Sequence, residues 1–347
     1  MNVVLGSRGA DADSGGGSLP RLGVTLGDPA GIGPELVLRL LADEEARSGV
    51  RLVIYGSAAI MRQVARRMGI SWPKGLEIVP AGDSVILPTG TSPVLVDTPS
   101  AGAVEPGRVS ASNGRLACDW IAAATRDALR GTVDAIVTAP ICKAAVHAAG
   151  VDFPGHTEML AALTATRDVH MFFWSPELAV GLVTIHIALS DVTPRITQGA
   201  VLGAIRQVAT AMRSAACPVP RIGVLALNPH AGEGGLFGST EHAAIAPAIE
   251  AARGEGIDAT GPLVPDIAFH DGARQSFDAF VAMYHDQGLI PFKMLAFNRG
   301  VNVTLGLPFC RTSPDHGTAF DIAWQGKADP GSFFAAVRYA RERVLND

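Results

Sequence analysis

From Leu22 onward, short runs rich in Val, Ile and Leu alternate with longer stretches whose apolar residues recur at helical spacing. That alternation predicts βαβ units around a largely parallel sheet. Strands are predicted at 22–26, 52–55, 94–96, 135–138, 169–174, 179–185, 222–227 and 279–284, and helices beginning at Pro34, Ala58, Asn113, Ile141, Thr157, Pro194 and Thr240. Pro34 suits a first helical position, where its missing N–H costs nothing. The stretch 75–106, rich in Pro, Gly, Ser and Thr, predicts loops and short strands. Residues 1–20, with Gly15, Gly16 and Gly17 among Ser and Asp, lack the apolar core of a secretory signal and predict a flexible tail.

Length and composition narrow the function. With 347 residues, 48% hydrophobic and 18% charged, the chain can form two domains or one large α/β domain. A net charge of −5 with no block of like charges offers no footprint for nucleic acid or an anionic membrane, which leaves small molecules as partners. Cys118, Cys142, Cys217 and Cys310 are scattered, without metal-ribbon spacing or a disulfide framework, so the reducing cytoplasm is the expected compartment. No apolar run reaches the roughly 18 residues a membrane span needs.

Candidate chemistry gathers where predicted strands end, the place where α/β proteins bind ligands. His186 closes the run from Leu178, His230 closes the run from Ile222, and His285 stands beside Asp286 in Met283-Tyr-His-Asp-Gln-Gly288. A single such histidine is commonly a hydrogen-bonded rim residue. Three of them point to a divalent metal with a coordination position left open for substrate or water. Their separations of 44 and 55 residues fit a site assembled by the fold and not a zinc finger.

Three further segments carry polar groups of interest. Gly27-Asp-Pro-Ala-Gly-Ile-Gly-Pro-Glu35 is a glycine-rich turn that reads either as a tight structural turn or as a ligand loop, without the third glycine of a dinucleotide fingerprint. Pro154-Gly-His-Thr-Glu158 opens a helix, where His156 and Thr157 could meet an anion or Thr157 could simply cap. After the last predicted strand come Lys293, Asn298-Arg299-Gly300-Val-Asn302 and Arg311, in which Lys293 and Arg311 suit phosphate while Arg299 suits a solvated surface. His316 suits a ligand contact or a helix cap equally.

Five segments, the three quoted above at 27–35, 154–158 and 283–288 together with Leu227-Asn-Pro-His-Ala-Gly-Glu-Gly-Gly235 and Gly300-Val-Asn-Val-Thr-Leu-Gly-Leu-Pro-Phe309, closely resemble the 4-hydroxythreonine-4-phosphate dehydrogenase (PdxA) family, in order from about Leu22 to the C-terminus. The resemblance implies an α/β fold like the isocitrate and isopropylmalate dehydrogenases, two α/β domains flanking an active-site cleft. The expected arrangement is a tail over 1–20, a discontinuous first domain of 21–150 and 290–347, and a second domain of 151–289 carrying the metal ligands and the dimer contacts. It implies a homodimer that completes each active site from both subunits.

The resemblance also implies a reaction. NAD or NADP would accept a hydride from C3 of 4-phosphohydroxy-L-threonine, with a divalent ion (zinc, magnesium or cobalt) assisting, and decarboxylation would give 3-amino-2-oxopropyl phosphate for pyridoxal 5′-phosphate synthesis. Carried over residue by residue, the metal ligands fall on His186, His230 and His285, and the substrate contacts on His156, Thr157, Lys293, Asn302 and Arg311. Asp266, Asp286 and Lys143 are the candidates for proton transfer or for orienting a ligand. Two departures stand out: Cys142 where the family's best-known members have a histidine, and Ile187 where they have a leucine. They leave room for a relative that oxidises D-threonate or D-erythronate 4-phosphate, and, more remotely, for a metal-dependent lyase or hydrolase on a phosphorylated substrate.

Overall fold

The computed structural model describes residues 19–100, 102–214 and 217–346. The tail expected over 1–20 lies, up to residue 18, outside the described residues. In chain order the elements are β1 (Arg21–Thr25), α1 (Gly33–Ala42), β2 (Arg51–Gly56), α2 (Ala58–Met68), β3 (Glu77–Pro80), β4 (Val94–Asp97), α3 (Ala111–Leu129), β5 (Ala135–Thr138), α4 (Lys143–Ala148), α5 (His156–Leu163), β6 (His170–Trp174) and β7 (Ala179–Leu182). There follow α6 (Val192–Arg195), α7 (Gln198–Met212), β8 (Ile222–Leu225), α8 (Ala246–Gly254), β9 (Ala259–Leu263), α9 (Pro265–Ala268), α10 (Asp271–Arg274), β10 (Ala279–Ala282), α11 (His285–Ala296), β11 (Val301–Leu305), β12 (Cys310–Pro314) and α12 (Gly331–Asn346).

The chain is α/β, as the alternation predicted, and its described residues divide into two compact units, one of Asp168–Gly306 and one of 19–167 and 307–346. In the latter, the strands run β3-β4-β2-β1-β5-β12 and every pairing is parallel. Its β1, β2 and β5 are buried on both faces, which is why they read as continuous apolar runs. Helix α3 is capped at Ser110, whose hydroxyl accepts the Asn113 N–H at 3.2 Å. An added Cβ at Gly114 would lie 2.0 Å from the Ala145 carbonyl, so glycine there lets α3 and α4 approach closely.

The unit of Asp168–Gly306 has the order β11-β6-β7-β10-β8-β9. Its β7, β10, β8 and β9 pair in parallel, while β6 runs antiparallel to both β7 and β11. Phe173, Val180, Leu182, Leu225, Phe280, Leu289 and Phe292 form its core.

The boundaries fall at 167/168 and 306/307, where the sequence placed them at 150/151 and 289/290. Packing explains the difference. Met159 and Leu160 of α5 join Cys118, Ile121 and Val146 in one cluster, which keeps α5 with α3 and α4. Conversely, Leu289 and Phe292 of α11 belong to the Phe280 core, and β11 pairs with β6. Among the described residues no helix is long and apolar enough to cross a membrane.

Candidate functional site

In the all-parallel unit, the functional side chains gather about the carboxyl end of β5, which Arg311 reaches from the start of the neighbouring β12. Arg311 is 1% exposed, and its Nη2 donates to Thr138 Oγ1 at 2.7 Å. Burial pushes the guanidinium down to about 9, against the raising effect of the nearby Glu158 carboxylate. A cation this deep in a protein retains its charge at neutral pH and is a strong anchor for an anion.

His156 is the first residue of α5 and Thr157, buried, the second. Burial holds the His156 imidazole well below its ordinary value, the Arg311 charge adds to this, and a hydrogen bond to the Ala139 backbone works against it. Its Nε2 is buried and has no hydrogen-bond partner. The bond to Ala139 therefore uses Nδ1–H, and the neutral ring presents a lone pair at Nε2. That atom is able to accept from a hydroxyl or an ammonium group. Lys143 is the exposed first residue of α4, and a Cβ on Gly155 would lie 3.8 Å from its Cε and 3.3 Å from Glu158 Oε2, so the starts of α4 and α5 lie side by side.

The glycine-rich turn after β1 resolves toward packing. A Cβ at Gly27 would sit 2.3 Å from the Pro140 carbonyl oxygen, one at Gly33 2.0 Å from that of Leu26, and one at Gly31 2.9 Å from that of Thr318. Backbone carbonyls occupy the space a side chain would need at these three positions. Asp28 in this turn is fully buried, its Oδ1 accepts the Ala30 N–H at 2.9 Å, and burial pushes its carboxyl up to about 6. By contrast, nothing lies within 4 Å of a Cβ added at Gly317, beside the exposed His316, so the loop after β12 leaves open room at its surface.

The other unit carries the histidines. Strand β7 ends at Leu182, four residues before His186, where the sequence had extended it to 185; Val183 and Thr184 still donate to the Ala282 and Met283 carbonyls, at 2.9 and 3.2 Å. His285 is the first residue of α11, directly after β10. The rings of His186 and His285 lie 5.8 Å apart between centroids. Two imidazoles ligating one ion at about 2.1 Å from tetrahedral corners have centroids about 5 Å apart, so the pair fits a shared metal. The Asp286 carboxylate lies 2.7 Å from His285 Nδ1, the outer-nitrogen contact that orients metal-binding histidines.

His230 stands apart from that pair. It begins a run of left-handed residues (φ 52° at His230, 53° at Ala231, 81° at Gly232, 43° at Glu233 and 64° at Gly234) that turns through the exposed Leu236 and Phe237. Its ring lies 6.3 Å from that of Phe237. Among the described residues no group of three or more His, Cys, Asp or Glu side chains gathers as a metal cage. Asp266 is exposed in the first turn of α9, and Lys293 is exposed on α11. Asn302, on β11, has a buried Oδ1 without a partner. Arg299 pairs with Glu177 at 2.7 Å on the surface, as a solvated charge should.

Several residues escaped the sequence reading. Thr138 is the polar end of an otherwise apolar strand, the same signal that marked the histidines. Glu241, 2% exposed, accepts from the Leu227 and Asn228 N–H groups at 3.0 and 2.7 Å and from Asn228 Nδ2 at 3.1 Å, and no local pattern announces it. Burial pushes this carboxyl up, but the bonds from Asn228 and Leu227 outweigh burial and hold it below its ordinary value.

A buried arginine and a neutral histidine beside the end of β5 in one unit, and a pair of imidazoles following β7 and β10 in the other, mark an α/β enzyme acting on small polar molecules. The chain belongs to the PdxA family: the family described as pyridoxal phosphate biosynthetic protein PdxA matches residues 49–340. It is 42% identical over 323 residues to a 4-hydroxythreonine-4-phosphate dehydrogenase of Desulforapulum autotrophicum, covering 92% of this chain and 94% of that one. To a D-threonate 4-phosphate dehydrogenase of Pectobacterium atrosepticum it is also 42% identical, covering 92% and 98%. A crystal structure of the 4-hydroxythreonine-4-phosphate dehydrogenase of Klebsiella pneumoniae superposes with a TM-score of 0.80 at 41% identity, over 94% of this chain and all of that one.

Proposed function

We propose that this chain is a nicotinamide-dependent dehydrogenase that oxidises the C3 hydroxyl of 4-phosphohydroxy-L-threonine, whose product loses carbon dioxide to give 3-amino-2-oxopropyl phosphate in pyridoxal 5′-phosphate synthesis. The observation that carries the reading is the His186–His285 pair, backed by Asp286, in a chain of this family. Arg311 would fix the phosphate by charge. His156 Nε2 would accept from a hydroxyl or ammonium of the substrate, with Thr157, Lys293 and Asn302 as further contacts. Asp286 would hold the His285 ring in one tautomer, leaving Asp266 and Lys143 as the groups able to take the hydroxyl proton.

His186, His285 and His230 would hold the divalent ion, and imidazole donors favour zinc or cobalt over magnesium. When bound, such an ion lowers the pKa of a neighbouring hydroxyl and offsets negative charge developing on its oxygen. The exposed turn bearing His230, Leu236 and Phe237 supports a homodimer in which His230 serves the partner's site. NAD or NADP would supply the hydride acceptor, and the open surface at Gly317 and His316 suits the approach of a nucleotide. No cysteine is in a disulfide, which suits the cytoplasm.

A second reading, oxidation of D-threonate 4-phosphate, is favoured by the equal identity to relatives of either name. The two substrates differ by an amine against a hydroxyl, and both donate to a lone pair such as that on His156 Nε2. NADH formation with purified protein, added Zn²⁺ or Co²⁺ and each substrate in turn tests the proposal. Turnover of the amino acid, abolished by chelator, supports the first reading; turnover of D-threonate 4-phosphate alone transfers the mechanism to the second; silence with both refutes the dehydrogenase assignment.

A further inference from the structure

The three segments that deliver His186, His285 and His230 are tied to one another by side chains that ligate nothing. Gln287, two residues after His285, accepts the Met283 N–H at 2.7 Å through Oε1 and donates through Nε2 to the Ala226 carbonyl at 2.7 Å. Its orientation is fixed by its partners, since only the oxygen can meet an N–H and only the NH₂ a carbonyl. One amide thus joins the end of β10 to the end of β8. On one side of that amide, Thr184 Oγ1 donates to the Met283 carbonyl at 2.7 Å, bringing in the segment that leads to His186. On the other, Glu241 grips Leu227 and Asn228, the two residues between Ala226 and the Pro229-His230 turn.

The grip has a physical purpose at His230. Non-glycine residues are disfavoured in the left-handed region, and His230, Ala231 and Glu233 all adopt it. Such a run persists only where its surroundings over-determine it. Glu241 supplies this from a π-turn, Glu241–Ile245, that leads into α8. A Cβ on Gly232 would lie 2.9 Å from Glu241 Oε2, so the carboxylate also packs beneath the turn.

We propose that Gln287 and Glu241 are positioning residues of the histidine centre, a clamp that sets the His230 turn against the His186 and His285 segments. The inference rests on the metal reading above. The clamp acts within one chain, so it holds whether His230 completes its own centre or a partner's.

The test is Co²⁺ titration of the purified full chain by calorimetry, with the visible d–d spectrum recorded alongside. Gln287→Glu is isosteric but turns an oxygen against the Ala226 carbonyl, and is expected to weaken Co²⁺ binding by about 10- to 100-fold, the range seen when groups supporting metal ligands are removed. Its d–d band should change as well. Glu241→Ala should behave alike, and Glu241→Gln, which retains one acceptor oxygen for the two N–H groups, should restore most of the affinity. Wild-type affinity and spectrum in folded Gln287→Glu and Glu241→Ala overturn the inference. Should either fail to fold, Thr184→Val removes only the hydroxyl bond to Met283, and wild-type Co²⁺ affinity and spectrum in that variant overturn it equally. If the unaltered protein binds no Co²⁺, the metal reading itself fails and the inference falls with it; wild-type binding left untouched by the clamp variants sinks the inference alone.

Discussion

The Asp286 carboxylate lies 2.7 Å from Nδ1 of the adjacent His285, on the first turn of α11, so the imidazole's Nε2 is the nitrogen left to face a ligand. A carboxylate in that place fixes both the tautomer and the rotation of the ring. Asp286→Asn keeps the size and loses the charge. It should weaken metal binding by about 10- to 100-fold, read by competition with a chromophoric chelator, with little change in melting temperature because Asp286 is exposed. Unchanged metal affinity would show that Asp286 does not orient His285.

Arg311 and His156 form a coupled pair in the other unit. The arginine's charge helps hold the imidazole neutral, so removing it by Arg311→Met should raise the His156 pKa, measured by NMR on ring-labelled histidine. Stability follows with a definite sign. The unfolded chain takes up a proton on this histidine near its ordinary 6.5 while the folded chain does not, so the wild type loses stability as pH falls through that value. The loss should be smaller in Arg311→Met. For catalysis, the same variant should raise KM for the phosphorylated substrate about 100-fold, consistent with removing one partner of a buried charge-assisted contact. An unaltered KM would exclude Arg311 from the anion site.

Much of this was legible in the sequence because strands buried on both faces leave continuous apolar runs, and a polar residue ending such a run is conspicuous. His186, His230, His285 and the α/β class all came from that signal. What the sequence concealed depends on contacts far along the chain. Whether Gly27 faces a ligand or a carbonyl turns on Pro140, more than a hundred residues away. Strand β12 reads Cys-Arg-Thr-Ser-Pro, too polar to stand out, yet it lies beside β5 with Arg311 buried. Helix α11 contains Gly288 and Pro291, both helix breakers in isolation, and Gly288 is required because a Cβ there would come within 2.8 Å of Val180 and 2.9 Å of Leu182 side-chain atoms.

Asp28 gives stability a second dependence on pH, opposite in sign to that of His156. Its folded value of about 6 exceeds the ordinary 3.8, so between these values the folded chain retains a proton that the unfolded chain has released. Stability from this group is full below 3.8, declines as pH rises and levels off above about 6. Asp28→Asn should flatten that decline and stabilise the neutral protein by up to about 3 kcal/mol. Denaturant midpoints on either side of the window measure it. Identical pH slopes in the variant and the wild type would show that Asp28 is not the group responsible.

The exposed apolar residues of the histidine-bearing unit make the last prediction. Leu236 is 79% exposed and Phe237 52%, at the tip of the turn that begins with His230, and single-chain solubility gives no reason for them. If they dock on a second copy, the Leu236→Asp, Phe237→Asp double variant should be monomeric by light scattering and inactive while remaining folded. Sharing of the histidines can be read separately. His230→Ala and His285→Ala are each expected to be inactive alone, but in a mixed dimer with a two-fold axis one of the two sites regains every ligand. Equal mixing with free exchange makes half the dimers mixed, so about a quarter of the wild-type activity should return. A self-contained site would have lost a ligand in every chain and would recover nothing, and that result would move His230 back to its own subunit.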